Sequence, residues 1–230
     1  MKPFRFKKFD IRQSESVFRV GTDGVLLGAL CDVSVAQNIL EVGTGTGLVA
    51  MMMAQRNFNS KILSIDINED AVEISAANFL NSPFNEQLQA ELVDFKEMPE
   101  NQRFDLIVSN PPFFEINSSS KDILARQTVA LNFEELIRKS SRLLTENGIF
   151  SVIIPQSSFF VFKDLSLKHH LKLQRKVSIF GIENSLAKRV LLEFGFKEKI
   201  VKEEQVIIEK SPRKYSDQYL EITKDFHVFG

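Results

Sequence analysis

Apolar and polar positions alternate in blocks along the chain. "NILEVG", "KILSIDI", "LQAELVD", "RFDLIVSN" and "IFSVIIP" are short apolar runs closed by glycine, proline or polar residues, the pattern of strands covered on both faces. Between them lie segments with helical spacing. These are "GLVAMMMAQRN", "NEDAVEISAANFLNS", where Ala71, Ile74, Ala77 and Asn78 share a face, and "NFEELIRKSSRLLTENG", which predicts a helix ending at Gly148. A phenylalanine-rich helix after Pro155, a strand near "LKLQRKVSIFG" and another at "AKRVLLEFGF" bring the strand count to seven. The alternation predicts a doubly wound α/β sheet. "EQVIIEK" and "YSDQYLEITKDF" predict a late strand and a terminal helix. In "RVGTDGVLLGAL", Thr22 and Asp23 stand in capping positions before an apolar helical pattern. That helix could be a lid, or could bring Asp23 to a ligand. No repeat or boundary signal divides the chain, so residues 1–230 are expected to form a single domain. Residues 1–35 would be a basic and cap segment, and 36–230 a sheet core with a C-terminal strand and helix.

Composition excludes several classes. Hydrophobic residues make up 43% of the 230 and charged residues 26%, an ordinary globular balance with no disordered signature. The basic N-terminus "MKPFRFKKFD" lacks the apolar core of a secretory signal, and no uncharged apolar run reaches spanning length. A cytoplasmic protein with no membrane partner is expected. Cys31 is the one cysteine, and with only His169, His170 and His227 beside it there is no credible metal constellation; Cys31 reads as a buried helix residue. Net charge is −1, which does not suggest a chain that coats nucleic acid. The charge is split, however. Residues 60–105 hold ten carboxylates against Lys61, Lys96 and Arg103, whereas residues 1–19 hold six Lys or Arg against Asp10 and Glu15. Basic stretches that met on one face would still admit a polyanion.

"LEVGTGTGLVA" places Gly43, Gly45 and Gly47 between a strand and a helix, where glycines permit a tight turn and close approach of a ligand. Asp66, ending the next strand, can accept both hydroxyls of an adenosine ribose. Glu41 is a second acid beside the loop, which does not suit pyrophosphate, and no GKS or GKT lysine supports an ATPase. Asp94 ends the third strand, where it could accept from an adenine amine or cap a turn. "NPPFF" then closes the fourth strand. The Asn110 carbonyl and the Pro111 backbone carbonyl offer two acceptors in a stiff corner, suited to a flat NH₂ donor, and Phe113 offers a face for a base. Asp66 alone would suit an NAD ribose equally; the acid beside the loop and the proline corner favour S-adenosylmethionine.

Together, Glu41 to Gly47, Asp66, Asp94 and Asn110 to Phe113 resemble the successive motifs of class I S-adenosylmethionine-dependent amino methyltransferases. With "VGTDGVLLGA", "KRVLLEF" and "YSDQYLEITKDFHVF" added, nearly the whole chain resembles the bacterial tRNA1(Val) adenine-37 N6-methyltransferase family. The resemblance implies a Rossmann-like fold with a seven-stranded mixed sheet flanked by helices, its last strand antiparallel. It implies cofactor contacts from Thr22, Asp23, Glu41, Gly43, Gly45, Gly47, Asp66, Asp94 and Asn110. The catalytic corner would be Asn110, Pro111, Pro112 and Phe113, and the substrate adenine 37 in the anticodon loop of a valine tRNA. Glu41 stands where many relatives carry aspartate, and Phe113 where tyrosine is common; both keep the acceptor or the ring. Arg5, Lys7, Lys8, Arg126 in the loop after NPPF, Lys188 and Arg189 are the candidate RNA contacts. The same corner would also serve guanine N2 methylation of ribosomal RNA or glutamine methylation of a protein, and an inactive cofactor-binding RNA scaffold is a further alternative.

Overall fold

The structure, a computed structural model, describes residues 2–17, 19–112 and 122–228, with the side chains of 122–132 left out. A small antiparallel ribbon of β1 (Phe4–Arg5) and β2 (Asp10–Ile11) leads to α1 (Thr22–Leu30). There follow β3 (Asn38–Val42), α2 (Leu48–Arg56), β4 (Lys61–Asp66), α3 (Glu69–Leu80), β5 (Leu88–Leu92) and β6 (Phe104–Ser109). The second half comprises α4 (Asp122–Leu143), β7 (Leu144–Pro155), α5 (Phe159–Lys168), β8 (Lys172–Ile182), β9 (Ala187–Gly195), β10 (Lys202–Ser211), β11 (Lys214–Tyr215) and α6 (Asp217–Thr223).

Among the described residues, nine strands form one sheet in the order β5-β4-β3-β6-β7-β9-β8-β10-β11. The first seven of that order are the expected mixed sheet, with β9, the seventh strand in sequence among those seven, antiparallel to both neighbours. Two strands extend it: β10, the late strand of "EQVIIEK", runs parallel to β8, and β11 runs antiparallel to β10. One core, built from α1, α2, Phe79 of α3, α6 and the ribbon, covers one face; the other, built from α4 and α5, covers the opposite face. Burial on both sides explains why the central strands read as continuous apolar runs.

Three local expectations are corrected. Helix α4 ends at Leu143 rather than Gly148, which lies inside β7. A Cβ at Gly148 would stand 2.9 Å from the Phe104 carbonyl and 3.0 Å from that of Thr145, so this glycine serves a close backbone approach within the sheet and not a helix cap. Thr22 and Asp23 do not cap α1; the cap is Gly21, without a side-chain bond, and Asp23 lies in the first turn. Arg126 lies within α4 and not in a loop. No helix among the described residues is long and apolar enough to cross a membrane, and none of their His, Cys, Asp and Glu residues form a cluster that could hold a metal. Cys31 is fully buried immediately after α1.

Candidate active site

Parallel register brings the motifs together. Val42 of β3 pairs with Ile65 of β4 on one side and Ser109 of β6 on the other. The next residues, Gly43, Asp66 and Asn110, therefore stand together at one edge of the sheet. Two strand spacings, about 10 Å, separate the Asp66 and Asn110 positions, with the glycine loop between. They line a cleft of about 910 Å³, together with Thr22, Asp23, Glu41, Gly45, Asp94, Pro111 and Pro112. Phe113 lies outside the described residues.

The loop is stitched to its neighbours. The N–H groups of Gly43 and Thr44 both donate to the Ile65 carbonyl, at 2.9 and 3.0 Å. Asp66 Oδ2 accepts from the Gly45 N–H and Oδ1 from the Asn68 N–H, each at 3.0 Å. Both carboxylate oxygens are thus oriented, with lone pairs left for a ligand. Gly43, Gly45 and Gly47 all have positive φ. A Cβ at Gly43 would meet nothing within 4 Å, whereas at Gly47 it would lie 2.4 Å from the Phe79 ring. Gly47 does not line the cleft; it lets α2 start hard against α3. Asp94 lies two residues beyond β5, accepts from the Lys96 N–H at 2.9 Å and faces the cleft.

Glu41 is buried, and its Oε2 accepts from Thr44 Oγ1 at 2.7 Å. Burial pushes its carboxyl up from 4.5 to about 7. The folded protein then binds a proton that the unfolded chain has released, so stability falls as pH rises through that interval and levels off above it. Relative to Glu41→Gln, wild type should lose roughly 1–3 kcal/mol of unfolding free energy between pH 4.5 and 7. Urea denaturation across that range reads the difference, and a flat difference would contradict the assignment.

Three contributions are not visible in the sequence motifs. Asn78 Nδ2 donates to the Thr46 and Arg12 carbonyls at 2.9 and 3.1 Å, while its Oδ1 accepts from the Arg12 N–H at 2.9 Å. It joins the glycine loop, α3 and the N-terminal segment. A polar residue on the apolar side of a helix was its only signal. Ser109 Oγ donates to the Val42 carbonyl at 3.0 Å, fixing the strand end that carries Asn110. Asp23 Oδ2 accepts from Arg189 Nε at 2.9 Å, tying α1 to the start of β9 at the cleft rim.

The candidate RNA contacts do not gather in one place. Arg5 lies on the ribbon, while Lys7 and Lys8 line a separate cleft of about 480 Å³ with Arg12 and Asn81. Lys7 Nζ donates to the Lys224 carbonyl. Lys188 is exposed beside Arg189 in β9.

A family model described as the methyltransferase small domain matches residues 14–177. The chain is 52% identical over 230 residues, all of both chains, to a tRNA1(Val) (adenine(37)-N6)-methyltransferase of a Flavobacteriaceae bacterium (strain 3519-10). The chain belongs to that family. A second relative of the same description, from Phocaeicola vulgatus, is 40% identical over 98% of this chain and 97% of its own length. Among solved structures, a predicted O-methyltransferase of Agrobacterium tumefaciens matches 89% of this chain and 96% of its own with a TM-score of 0.69 at 15% identity, a likeness of fold. The tRNA1(Val) adenine-37 N6-methyltransferase family thus has here the Rossmann-like methyltransferase sheet, widened by β10 and β11.

Proposed function

We propose that the chain transfers the methyl group of S-adenosylmethionine to N6 of adenine 37 in the anticodon loop of tRNA1(Val). The observation that carries this reading is the shared register of Val42, Ile65 and Ser109, which opens the glycine loop, Asp66 and Asn110 into one cleft. Full-length relatives described as tRNA1(Val) adenine-37 enzymes favour adenine in tRNA over guanine or glutamine. As a tRNA-modifying enzyme, the protein would work in the cytoplasm. Residues 1–35 and 36–230 would act as one unit, in keeping with the bonds between Asn78 and Arg12.

The cleft fits the cofactor. Asp66 has two oriented carboxylate oxygens for ribose hydroxyls, the space at Gly43 is open, and Asp94 lies beyond Asp66 for the base. Glu41, Thr22 and Asp23 complete the acidic and polar lining. When bound, the cofactor supplies an electrophilic methyl on a sulfonium.

The chain's own part is to bind, orient and exclude water. Asn110, with the Pro111 carbonyl, accepts the two hydrogens of the adenine amine, so the nitrogen lone pair is drawn out of conjugation and aimed at the methyl. Pro111 and Pro112 hold that corner still. The amine becomes acidic as it is alkylated, so no side chain is needed as an obligate base, consistent with the scarcity of histidine. Phe113 is proposed to stack on the base.

Calorimetric titration should show binding of S-adenosylhomocysteine and none of NADH; the reverse preference would refute the cofactor assignment. Incubation with methyl-labelled cofactor and separate pools of tRNA, ribosomal RNA and protein should place the label in tRNA as N6-methyladenosine. Label in N2-methylguanosine or methylglutamine would transfer the corner to one of those substrates, and no label in any pool would favour a scaffold.

A further inference from the structure

Resting on the tRNA reading above, we propose that the turns joining β8 to β9 and β10 to β11 form a ledge that binds the phosphate backbone of the RNA presenting its loop to the cleft. The ledge follows from register. β7 ends at Pro155, level with Arg189 of β9, which pairs with Ile179 of β8. β8 continues to Ile182, which is level with Glu209, and β10 continues to Ser211. At roughly 3.3 Å per residue, β8 rises about 10 Å beyond the level of Pro155 and β10 about 16 Å. The ion pair of Arg189 with Asp23, which lines the cleft, joins the foot of the ledge to the cleft mouth.

Charge selects the approach. On the other side of the cleft, residues 66–73 and 94–97 carry Asp66, Glu69, Asp70, Glu73, Asp94 and Glu97 against Lys96. On the ledge, residues 183–189 and 209–214 carry Lys188, Arg189, Lys210, Arg213 and Lys214 against Glu183 and Glu209. Arg189 holds Asp23, and Lys210 holds Asp217 at 3.1 Å. Lys188, Arg213 and Lys214 are exposed, and their side chains pair with no carboxylate among the described residues, although the Arg213 N–H donates to the Glu209 carboxylate at 3.2 Å. A polyanion reaching Asn110 is repelled over α3 and β5 and attracted over the ledge. Leu186, 88% exposed between the β8–β9 turn and β9, has no packing role there and gives the ledge an apolar contact for an unstacked base. Both turns pass through the left-handed region, with φ of 60° at Asn184 and 64° at Arg213.

The test is a Lys188→Ser/Arg213→Gly/Lys214→Ser variant. Glycine tolerates the positive φ at position 213, so the turn keeps its shape. Fluorescence anisotropy with the tRNA should show affinity reduced at least about tenfold, and a log–log salt dependence shallower by roughly 2, as expected for loss of three phosphate contacts. Calorimetric affinity for S-adenosylhomocysteine should be that of wild type. Unchanged tRNA affinity and salt slope, in a variant that still binds S-adenosylhomocysteine, would overturn the ledge. Wild-type methylation of tRNA, measured alongside, separates the two readings. If wild type methylates tRNA and the variant binds it equally well, only the ledge falls; if wild type neither binds nor methylates tRNA, the functional reading falls and takes the ledge with it.

Discussion

Asn110→Ala is expected to lower kcat by about 10²–10³-fold, the range seen when one preorganised polar contact to a reacting centre is removed. Affinity for S-adenosylhomocysteine should stay close to that of wild type. The separation follows from where Asn110 sits. Its backbone position is set by the β3–β6 register, by the Ser109 hydroxyl on the Val42 carbonyl and by Pro111 behind it. None of these depends on the carboxamide, so truncation removes an acceptor and leaves the corner standing. The cofactor acids lie on other strands, and Asp66 keeps both its backbone partners. Single-turnover rates at saturating cofactor and tRNA read the effect directly. A variant that transfers methyl at the wild-type rate would remove Asn110 from the chemistry.

Gly47→Ala is expected to destabilise the fold by about 2–5 kcal/mol, combining a left-handed backbone cost with overpacking. Gly47 has φ of 79°, and its added Cβ would fall 2.4 Å from Cε1 of Phe79, a ring 3% exposed and held in the core. Phe79→Leu in the same chain should recover part of the loss by relieving the contact, while the backbone cost persists. Gly43→Ala makes the contrast: its φ of 81° carries the same backbone cost, but the new methyl would enter open space facing the cleft. It should lose less stability and more cofactor affinity. Urea denaturation of the three variants, with titration of S-adenosylhomocysteine, separates the packing glycine from the ligand-facing one. Equal stability of Gly47→Ala and wild type would contradict the packing role.

The central motifs were legible because they are local. "NILEV", "KILSID" and "FDLIVS" are strands buried on both faces, and each is followed at once by the residue that matters: Gly43 within one residue, Asp66 as the last, Asn110 as the next. What was hidden depends on residues far apart in the chain. The Arg189 to Asp23 pair spans 166 positions, and nothing near either residue announces the other. Gly148 looked like a helix stop because glycine favours that position, while the constraint that selects it is the Phe104 carbonyl of a neighbouring strand. The ribbon strands, two residues each, are too short to show a periodicity; the antiparallel bridge of Phe6 to His227 and the Lys7 N–H on the Phe226 carbonyl hold the two ends of the chain together. Gly47, a cofactor contact by resemblance, stands outside the cleft lining, and the neighbour that demands a glycine there is the Phe79 ring of α3.

The most direct measurement is to locate the methyl group. Purified tRNA1(Val) lacking the modification would be incubated with the protein and methyl-labelled S-adenosylmethionine, digested to oligonucleotides and sequenced by mass spectrometry. The label should appear as N6-methyladenosine at position 37 and nowhere else, and should be nearly absent with Asn110→Ala. Label at a guanine, at another adenine, or undiminished in the Asn110 variant would contradict the account.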